Sequence, residues 1–478
     1  MQTLVDTQSS PTNQRLLSRL GLALILISSV LLGIWAVKDT IALRNILLVS
    51  GTIVSIIFLY QYLKSVSVRA IGTYWLPVIC IFISLIWVVL HYCYFSIQPE
   101  VQLKELQSIW LRSALASVLG IATGIALISR PRYIGLFWTA ILISFFVLFA
   151  QYLPLAIKSG NLVVPLDYLD FRRYLFIGKI NPMYLGVLLI AGSTGLLLDA
   201  IRTNDRLWLK RIAIFWLLCL LTAMYSFAFI VNTRSGILLG SLIIIAWSFL
   251  GLLTLFGKKG GKDALKSSGA KKFIYVLVFA LGVVGIFGYK QIQRDSGWHQ
   301  IIEDIEIGYQ VEKYPHWQNV DTYGFPKTES GKVVTYNTYE RVAWATAGIK
   351  SVPYHPYGVG VLILPLGLAA KDLFPGVSPL STHSGWVDLT LAFGLPFIAL
   401  MWVANLSIVY LAVRQKSPLK YTILTLSIIL FALFLVGELS NGHNLEMLFY
   451  FFALMSGLLI AQAAKLNSLT PSAPIENQ

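Results

Sequence analysis

The chain has 478 residues, of which 56% are hydrophobic and only 12% are charged. Because a soluble domain carries about 25% charged residues, this composition excludes an ordinary soluble protein and predicts a polytopic membrane protein. The formal net charge is +15, and its distribution along the chain argues against nucleic acid as a partner.

One helical crossing of a membrane needs roughly 20 apolar residues, and windows of that length predict twelve membrane-spanning helices. They lie at about 16–37, 41–63, 71–95, 109–129, 133–153, 183–200, 209–230, 235–256, 272–290, 384–412, 419–437 and 444–463. The sixth is the shortest. The predicted fold class is an all-α polytopic membrane protein with about 12 transmembrane helices.

Two segments between these helices are too long to be simple connections. A loop at 154–182 follows the fifth helix, and a large loop at 291–382 precedes the tenth. The predicted organisation is a first part, 1–290, that holds helices 1–9 and the shorter loop, then the large loop, then helices 10–12 within 383–463, and a tail at 464–478.

The charges predict how the helices are oriented. If both termini are cytoplasmic, the cytoplasmic segments hold 20 Lys and Arg but five Asp and Glu, whereas bases and acids are equal in number in the rest of the chain. This is the positive-inside pattern, so we expect both long loops on the outer side. The basic stretch "GKKGGKDALKSSGAKK" is then a cytoplasmic retention signal and, secondarily, a contact with anionic membrane lipids.

Polar residues mark the outer end of the tenth helix, in "SPLSTHSGWVDLTLAFGLPF" at 378–397. At about 100° per residue, Gly394 lies near the face of His383 and roughly 16 Å deeper, where it would let another helix approach. His383 is expected to project toward the large loop. Asp388 lies near the face of Ser384, about 140° from His383, which favours a structural or orienting role over direct pairing. The alternative for His383 is an ordinary interfacial histidine.

The stretch "FIVNTRSGILLG" at 229–240 places Arg234 at the outer rim, between the seventh and eighth helices. Asn232, Thr233 and Ser235 can cap the start of the eighth helix. An arginine beside the free N–H groups of a helix N-terminus is suited to bind an anion. A snorkelling interfacial arginine is the alternative.

The large loop contains a third stretch, "YERVAWATAGIKSVPYHPYGVG" at 339–360. Its first part predicts an amphipathic helix with Arg341 and Trp344 one turn apart. Its last part predicts a tight turn in which glycines allow close backbone approach. A solvated loop helix with a surface arginine is the alternative.

A fourth stretch, "GKINPMYLG" at 178–186, opens the sixth helix. Asn181 can cap this helix and Pro182 can take its first position, which explains the pair without a function. Arg172 and Arg173 lie just upstream and add positive charge near the outer surface.

Together the four stretches resemble the O-antigen ligase and O-antigen polymerase superfamily of bacterial inner membranes. The ligase pattern is His, then Asn/Ser/Gln, nine residues, Gly, two residues and Gly/Thr/Tyr. His383, Ser384 and Gly394 fit this pattern, whereas Phe397 departs from its last position. "TRSG" is similar to the family's Thr/Ser-Arg segment, "ERVAWATAG…HPYGVG" to its Arg…Trp…Pro-x-Gly-x-Gly loop, and "GKINPMYLG" to its Asn-Pro segment.

The resemblance implies a GT-C-like fold and a metal-independent, inverting glycosyl transfer on the periplasmic side of the bacterial inner membrane, with no cofactor. The donor would be a polysaccharide on undecaprenyl diphosphate. The acceptor would be a sugar hydroxyl of the lipid A core for a ligase, or of another lipid-linked repeat for a polymerase.

The resemblance also implies roles for residues. His383 would act as general base on the acceptor hydroxyl, because imidazole groups titrate near neutral pH. Arg341 and Arg234 would bind the diphosphate and stabilise its growing charge. Ser384, Asp388, Gly394, Trp344 and Asn181 would support the site. Arg172, Arg173 and His443 are secondary candidates, and we expect His443 to be structural.

The sequence leaves three alternatives to the ligase. The first is a polysaccharide polymerase with the same chemistry. The second is a flippase or transporter, which predicts charged residues deep in several helices and symmetry between two halves; the sequence shows neither. The third is a non-enzymatic membrane scaffold, for which the histidine and the two arginines on one face would be coincidence.

Overall fold

The structure is a computed structural model. The residues that it describes are 11–66, 72–160, 175–176, 178, 180–203, 206–257, 268–415, 417–437 and 442–469. The secondary candidates Arg172 and Arg173 lie outside these ranges, as does most of the basic stretch between the eighth and ninth predicted helices.

All regular secondary structure in the described ranges is helical. Before the large loop the helices are α1 (Pro11–Ile34), α2 (Ile41–Ser65), α3 (Leu76–Tyr94), α4 (Pro99–Glu105), α5 (Leu111–Ile128), α6 (Gly135–Ser159), α7 (Ile180–Thr203), α8 (Arg206–Tyr225), α9 (Arg234–Gly257) and α10 (Ser268–Arg294). A π-helical turn joins α4 to α5, and a second one follows α8.

Segment 295–384, called here the loop segment, follows α10. It contains α11 (Ile301–Tyr309), α12 (Val320–Tyr323), α13 (Tyr336–Ser351) and α14 (Pro365–Ala369). The last three helices are α15 (Gly385–Arg414), α16 (Lys420–Val436) and α17 (Gly442–Leu469). The end of the bundle that carries the loop segment is called the loop end.

Among the described residues, 11 helices are long and apolar enough to cross a membrane. The remaining predicted segment, the eleventh, is α16, which is apolar but has 17 residues. Each predicted segment coincides with one helical run, so the expectation of an all-α polytopic membrane protein is confirmed. The sixth segment, α7, is almost entirely buried and therefore lies inside the bundle.

The centre of the bundle is formed where α17 packs against α5. A Cβ atom at Gly120 or Gly124 would collide with backbone atoms of α17, and one at Gly457 would collide with the backbone of α5. Small residues let helix backbones approach closely and gain dispersion contacts where lipid offers no hydrophobic driving force. The two helices thus form a tight pair around which the others are arranged.

The loop segment has a hydrophobic core of its own. Trp317, Tyr339 and Leu366 are fully buried in it, and so is Leu391 of α15. The core therefore continues into the first turns of α15, and the loop segment is fixed to that helix by apolar packing.

The helix α15 is broken at Gly394, where φ is 75° and ψ is −175°. Pro396 has no N–H to donate to the carbonyl of Ala392. The N–H of Gly360 donates to that carbonyl instead, at 2.7 Å, and the N–H of Val359 donates to the carbonyl of Leu391 at 2.8 Å. The "HPYGVG" turn therefore supplies hydrogen bonds that a continuous helix would have made internally.

The same turn closes the other side of the break. The N–H of Leu395 donates to the carbonyl of Pro356 at 2.9 Å, and a Cβ atom at Gly394 would collide with the backbone of Tyr357. The expectation that Gly394 lets another helix approach is wrong: the element in contact is the backbone of the loop segment. The break also leaves the carbonyl of Phe393 without a donor from its own helix. Trp87 of α3 donates its indole N–H to this carbonyl at 2.8 Å.

Candidate functional site

His383 lies immediately before α15. The helix begins at Gly385 with Ser384 as its N-cap, and His383 has a φ of 57°. A non-glycine residue in this left-handed region is uncommon and strained. The prediction that His383 belongs to the regular helix is therefore wrong, and its helical projection onto Gly394 does not apply.

Asp388 holds the turn that carries His383. Its Oδ1 atom accepts hydrogen bonds from the backbone N–H of Thr382, at 2.7 Å, and from the hydroxyl of Thr382, at 2.8 Å. The N–H of Ser384 donates back to that threonine hydroxyl at 3.2 Å. A buried carboxylate with two donors is well satisfied, and these bonds stabilise the left-handed turn.

The helix α13 meets His383 from the loop segment. The indole ring of Trp344 stacks on the imidazole ring, with centroids 5.1 Å apart and an interplanar angle of 29°. Glu340 lies one turn before Trp344, so both residues are on one face of α13. A Cβ atom at Gly348 would lie 2.8 Å from a methyl group of Thr382, which shows how closely α13 packs against the turn.

Glu340 is 5% exposed and interacts electrostatically with His383. Burial raises the pKa of the Glu340 carboxyl to about 7, although the attraction of His383 acts in the opposite direction. The site therefore pairs an imidazole with a carboxyl group whose charge changes near neutral pH.

Arg234 reaches α13 from the start of α9. Its Nε atom is 3.2 Å from Oδ2 of Asp295, and its Nη1 atom donates to the hydroxyl of Thr338 at 3.0 Å. The hydroxyl of Thr233 accepts from the N–H of Gly236 at 3.4 Å, in agreement with the predicted cap. The guanidinium is thereby held at the helix N-terminus.

Arg341 is on α13, three residues after Thr338 and three before Trp344. One helix of the loop segment thus contacts Arg234, carries Arg341 and stacks on His383. The structure brings these three predicted residues together through α13, although they are far apart in the sequence. Such an arrangement can take a proton from a hydroxyl and bind an anionic group beside it.

Asn181 does not cap α7. The described helix begins at Ile180, so Asn181 is already inside its first turn, and its fully buried amide makes no hydrogen bond to any described residue. Tyr184, one turn later, lies against Gly437, whose carbonyl accepts from the N–H of Gly385 at 2.9 Å. Asn181 is therefore at the loop end, near the start of α15.

The structure also shows which residues lie beside His443 and Phe397. The Nδ1 atom of His443, at the start of α17, is 3.8 Å from a carboxylate oxygen of Glu446. Phe397, which departs from the ligase pattern, is fully buried, and its ring centroid is 5.6 Å from that of Trp110. The ring fills space between helices, where a smaller side chain would leave a cavity.

Sequence reasoning assigned no role to Glu340, Thr338 or Asp295. The spacing of Thr338, Arg341 and Trp344 was a usable signal, because residues three apart share one face of a helix. Asp295 offered no signal, since its contact with Arg234 depends on how α10 ends. Among the described residues, no group of three or more His, Cys, Asp or Glu could hold a metal ion.

Comparisons of the sequence with protein-family models and with curated proteins find no match.

Proposed function

We propose that the protein is an O-antigen ligase-like glycosyltransferase. It moves a polysaccharide from undecaprenyl diphosphate to a sugar hydroxyl of the lipid A core. The observation that carries this proposal is the convergence on α13, where His383 stacks on Trp344 and Arg234 bonds to Thr338 within one turn of Arg341.

The chemistry follows from these groups. The imidazole of His383 accepts the proton of the acceptor hydroxyl, whose oxygen attacks the anomeric carbon of the donor sugar. The attacking oxygen enters on the face opposite the diphosphate as the bond from that carbon to the diphosphate oxygen breaks. The diphosphate leaves with the electron pair, and this single displacement inverts the configuration. Arg341 and Arg234 stabilise the charge that grows on the leaving group.

Two neighbours of His383 have supporting roles in this reaction. The ring of Trp344 fixes the plane of the imidazole by stacking. Glu340, when ionised, stabilises the imidazolium that forms as the proton is taken, as the carboxylate of a catalytic triad does. In this proposal both residues act through His383 and not on the reacting atoms, so both are positioning residues.

The distribution of charge supports one orientation. With the basic segments in the cytoplasm, both termini are cytoplasmic and the loop end faces the periplasm. The donor and acceptor lipids are membrane-bound partners, and the bacterial inner membrane is the corresponding location.

The decisive experiment is transfer in vitro, from a lipid-linked glycan to lipid A core, with a chelator present. We expect His383→Ala, Arg341→Ala and Arg234→Ala each to lose transfer while inserting normally into the membrane. Lys350→Ala is the matched control, because Lys350 is on the same helix but exposed and paired with Glu312. If all three site variants transfer glycan as the unmodified protein does, the assignment of these residues to the active site is wrong.

The polysaccharide polymerase is the second candidate, and the departure at Phe397 favours it. The two functions differ in their acceptor. When lipid-linked repeats are the only acceptor, a polymerase lengthens them and a ligase does not.

A further inference from the structure

A buried arginine lies at the loop end, outside the site described above. Arg44, in the first turn of α2, is 5% exposed. Its Nη1 atom donates to the carbonyl of Trp35. Its buried Nε and Nη2 atoms find no hydrogen-bond partner among the described residues. A guanidinium with two unused buried donors is costly unless a ligand accepts from them.

The neighbours of Arg44 do not balance its charge. Glu446 of α17 is 4% exposed and forms an ion pair with Arg112, at the start of α5. Both groups interact electrostatically with Arg44, and His443 lies 3.8 Å from the same carboxylate. Two arginines therefore share one carboxylate, which leaves an excess of one positive charge.

The local fold adds to this positive potential. Arg44 lies in the first turn of α2 and Glu446 in the second turn of α17. The N-terminal ends of helices carry partial positive charge and favour anions. The planar guanidinium fork matches the oxygens of a phosphate group better than a point charge would.

The surface beside Arg44 is suited to lipid. Ile41, Leu43 and Ile46 of α2 are 56%, 47% and 64% exposed. In a membrane-spanning helix such apolar side chains face acyl chains. The polar cluster lies at the loop end of this apolar surface, where the head groups of such lipids would be.

We propose that Arg44, Arg112 and His443 form a binding site for the phosphate group of a phospholipid head group at the loop end of the bundle. The phosphate accepts hydrogen bonds from Nε and Nη2 of Arg44 and neutralises the excess charge, while Glu446 holds Arg112 beside it. This site is separate from the proposed transfer reaction and does not depend on it.

The test uses the purified full-length chain in a maltoside detergent. Thermal unfolding is measured with phosphatidylglycerol, with diacylglycerol of the same chains and with inorganic phosphate. We expect phosphatidylglycerol to raise Tm and diacylglycerol not to. In Arg44→Gln the affinity for phosphatidylglycerol is expected to fall roughly tenfold, as the loss of charge-assisted hydrogen bonds predicts.

The control variant is Arg130→Gln, in which the guanidinium that bonds to Ser18 at the opposite end is removed; its response should equal that of the unmodified protein. If Arg44→Gln does not fold, Arg112→Gln provides the same measurement. A rise in Tm with inorganic phosphate alone would show that free phosphate is sufficient for binding and that a lipid head group is not required. Equal responses to phosphatidylglycerol and diacylglycerol, or an undiminished response in both site variants, would overturn the proposal.

Discussion

Replacing Gly394 with alanine should detach the "HPYGVG" turn from α15. The backbone at Gly394 lies in a region that only glycine adopts readily, and strain there costs about 1–3 kcal/mol. The added Cβ also collides with the backbone of Tyr357. Three backbone hydrogen bonds across the break are each worth about 0.5–1.5 kcal/mol. Together these terms predict a loss of about 2.5–7.5 kcal/mol.

Hydrogen exchange measures this loss locally. The N–H groups of Val359 and Gly360 donate across the break, so their exchange reports the opening of the turn. A loss of 3 kcal/mol predicts exchange roughly 100-fold faster. Gly282→Ala in α10 is the matched control, because no atom of the described residues lies within 4 Å of a Cβ atom there. Unchanged protection of Val359 and Gly360 in Gly394→Ala would refute the reasoning.

Two predictions concern the neighbours of His383. The pKa of Glu340 is raised to about 7 from a usual value of 4.5, so the folded chain keeps a proton that the unfolded chain loses. The resulting stabilisation is complete below about pH 4.5 and is lost as pH rises through about 7, so Tm should fall over this range. Glu340→Gln should abolish this fall in Tm. Trp344→Leu removes a ring contact worth about 0.5–1.5 kcal/mol and should lower kcat for transfer roughly 2–10-fold. Trp344→Phe keeps an aromatic ring and should retain most of the kcat of the unmodified protein.

Each of these predictions has an internal control. Glu312 is exposed and its pKa is lowered by Lys350, so Glu312→Gln should leave the fall between about pH 4.5 and 7 intact. Parallel Tm curves for Glu340→Gln and the unmodified protein would contradict the burial argument. For Trp344, equal kcat values in the leucine and phenylalanine variants would show that stacking does not position the imidazole.

Hydropathy predicted the membrane helices well, because a span must satisfy its backbone internally and present apolar side chains to lipid. It failed at one boundary. The fourth span begins at Pro99, ten residues before the predicted start at 109. Buried Glu105 lies in this stretch, where its carboxylate accepts from the N–H groups of Leu362 and Ile363 at 2.9 Å. Such a polar anchor lowers the hydropathy of a helix that is nonetheless inside the protein.

The candidate site was predictable in its residue types but not in its geometry. A helical projection assumes regular dihedral angles, and it therefore missed both the left-handed turn at His383 and the break at Gly394. The Gly394–Pro396 pair was a sequence signal for the break, since proline removes a donor. The meeting of Arg234 with Thr338 had no such signal, because these residues are separated by more than a hundred positions and meet only through tertiary packing.

The break in α15 has a consequence for biogenesis. The carbonyls of Leu391, Ala392 and Phe393 lie about 10 Å along the helix from its start, and they need donors from the loop segment and from α3. Unsatisfied carbonyls at that depth cost several kcal/mol each in lipid. The loop segment is synthesised before α15. If the loop end faces the periplasm, as proposed above, the loop segment must cross the membrane before that helix can be completed. A chain whose loop stays on the wrong side would expose these carbonyls to lipid, and membrane quality-control proteases would have a polar defect to recognise.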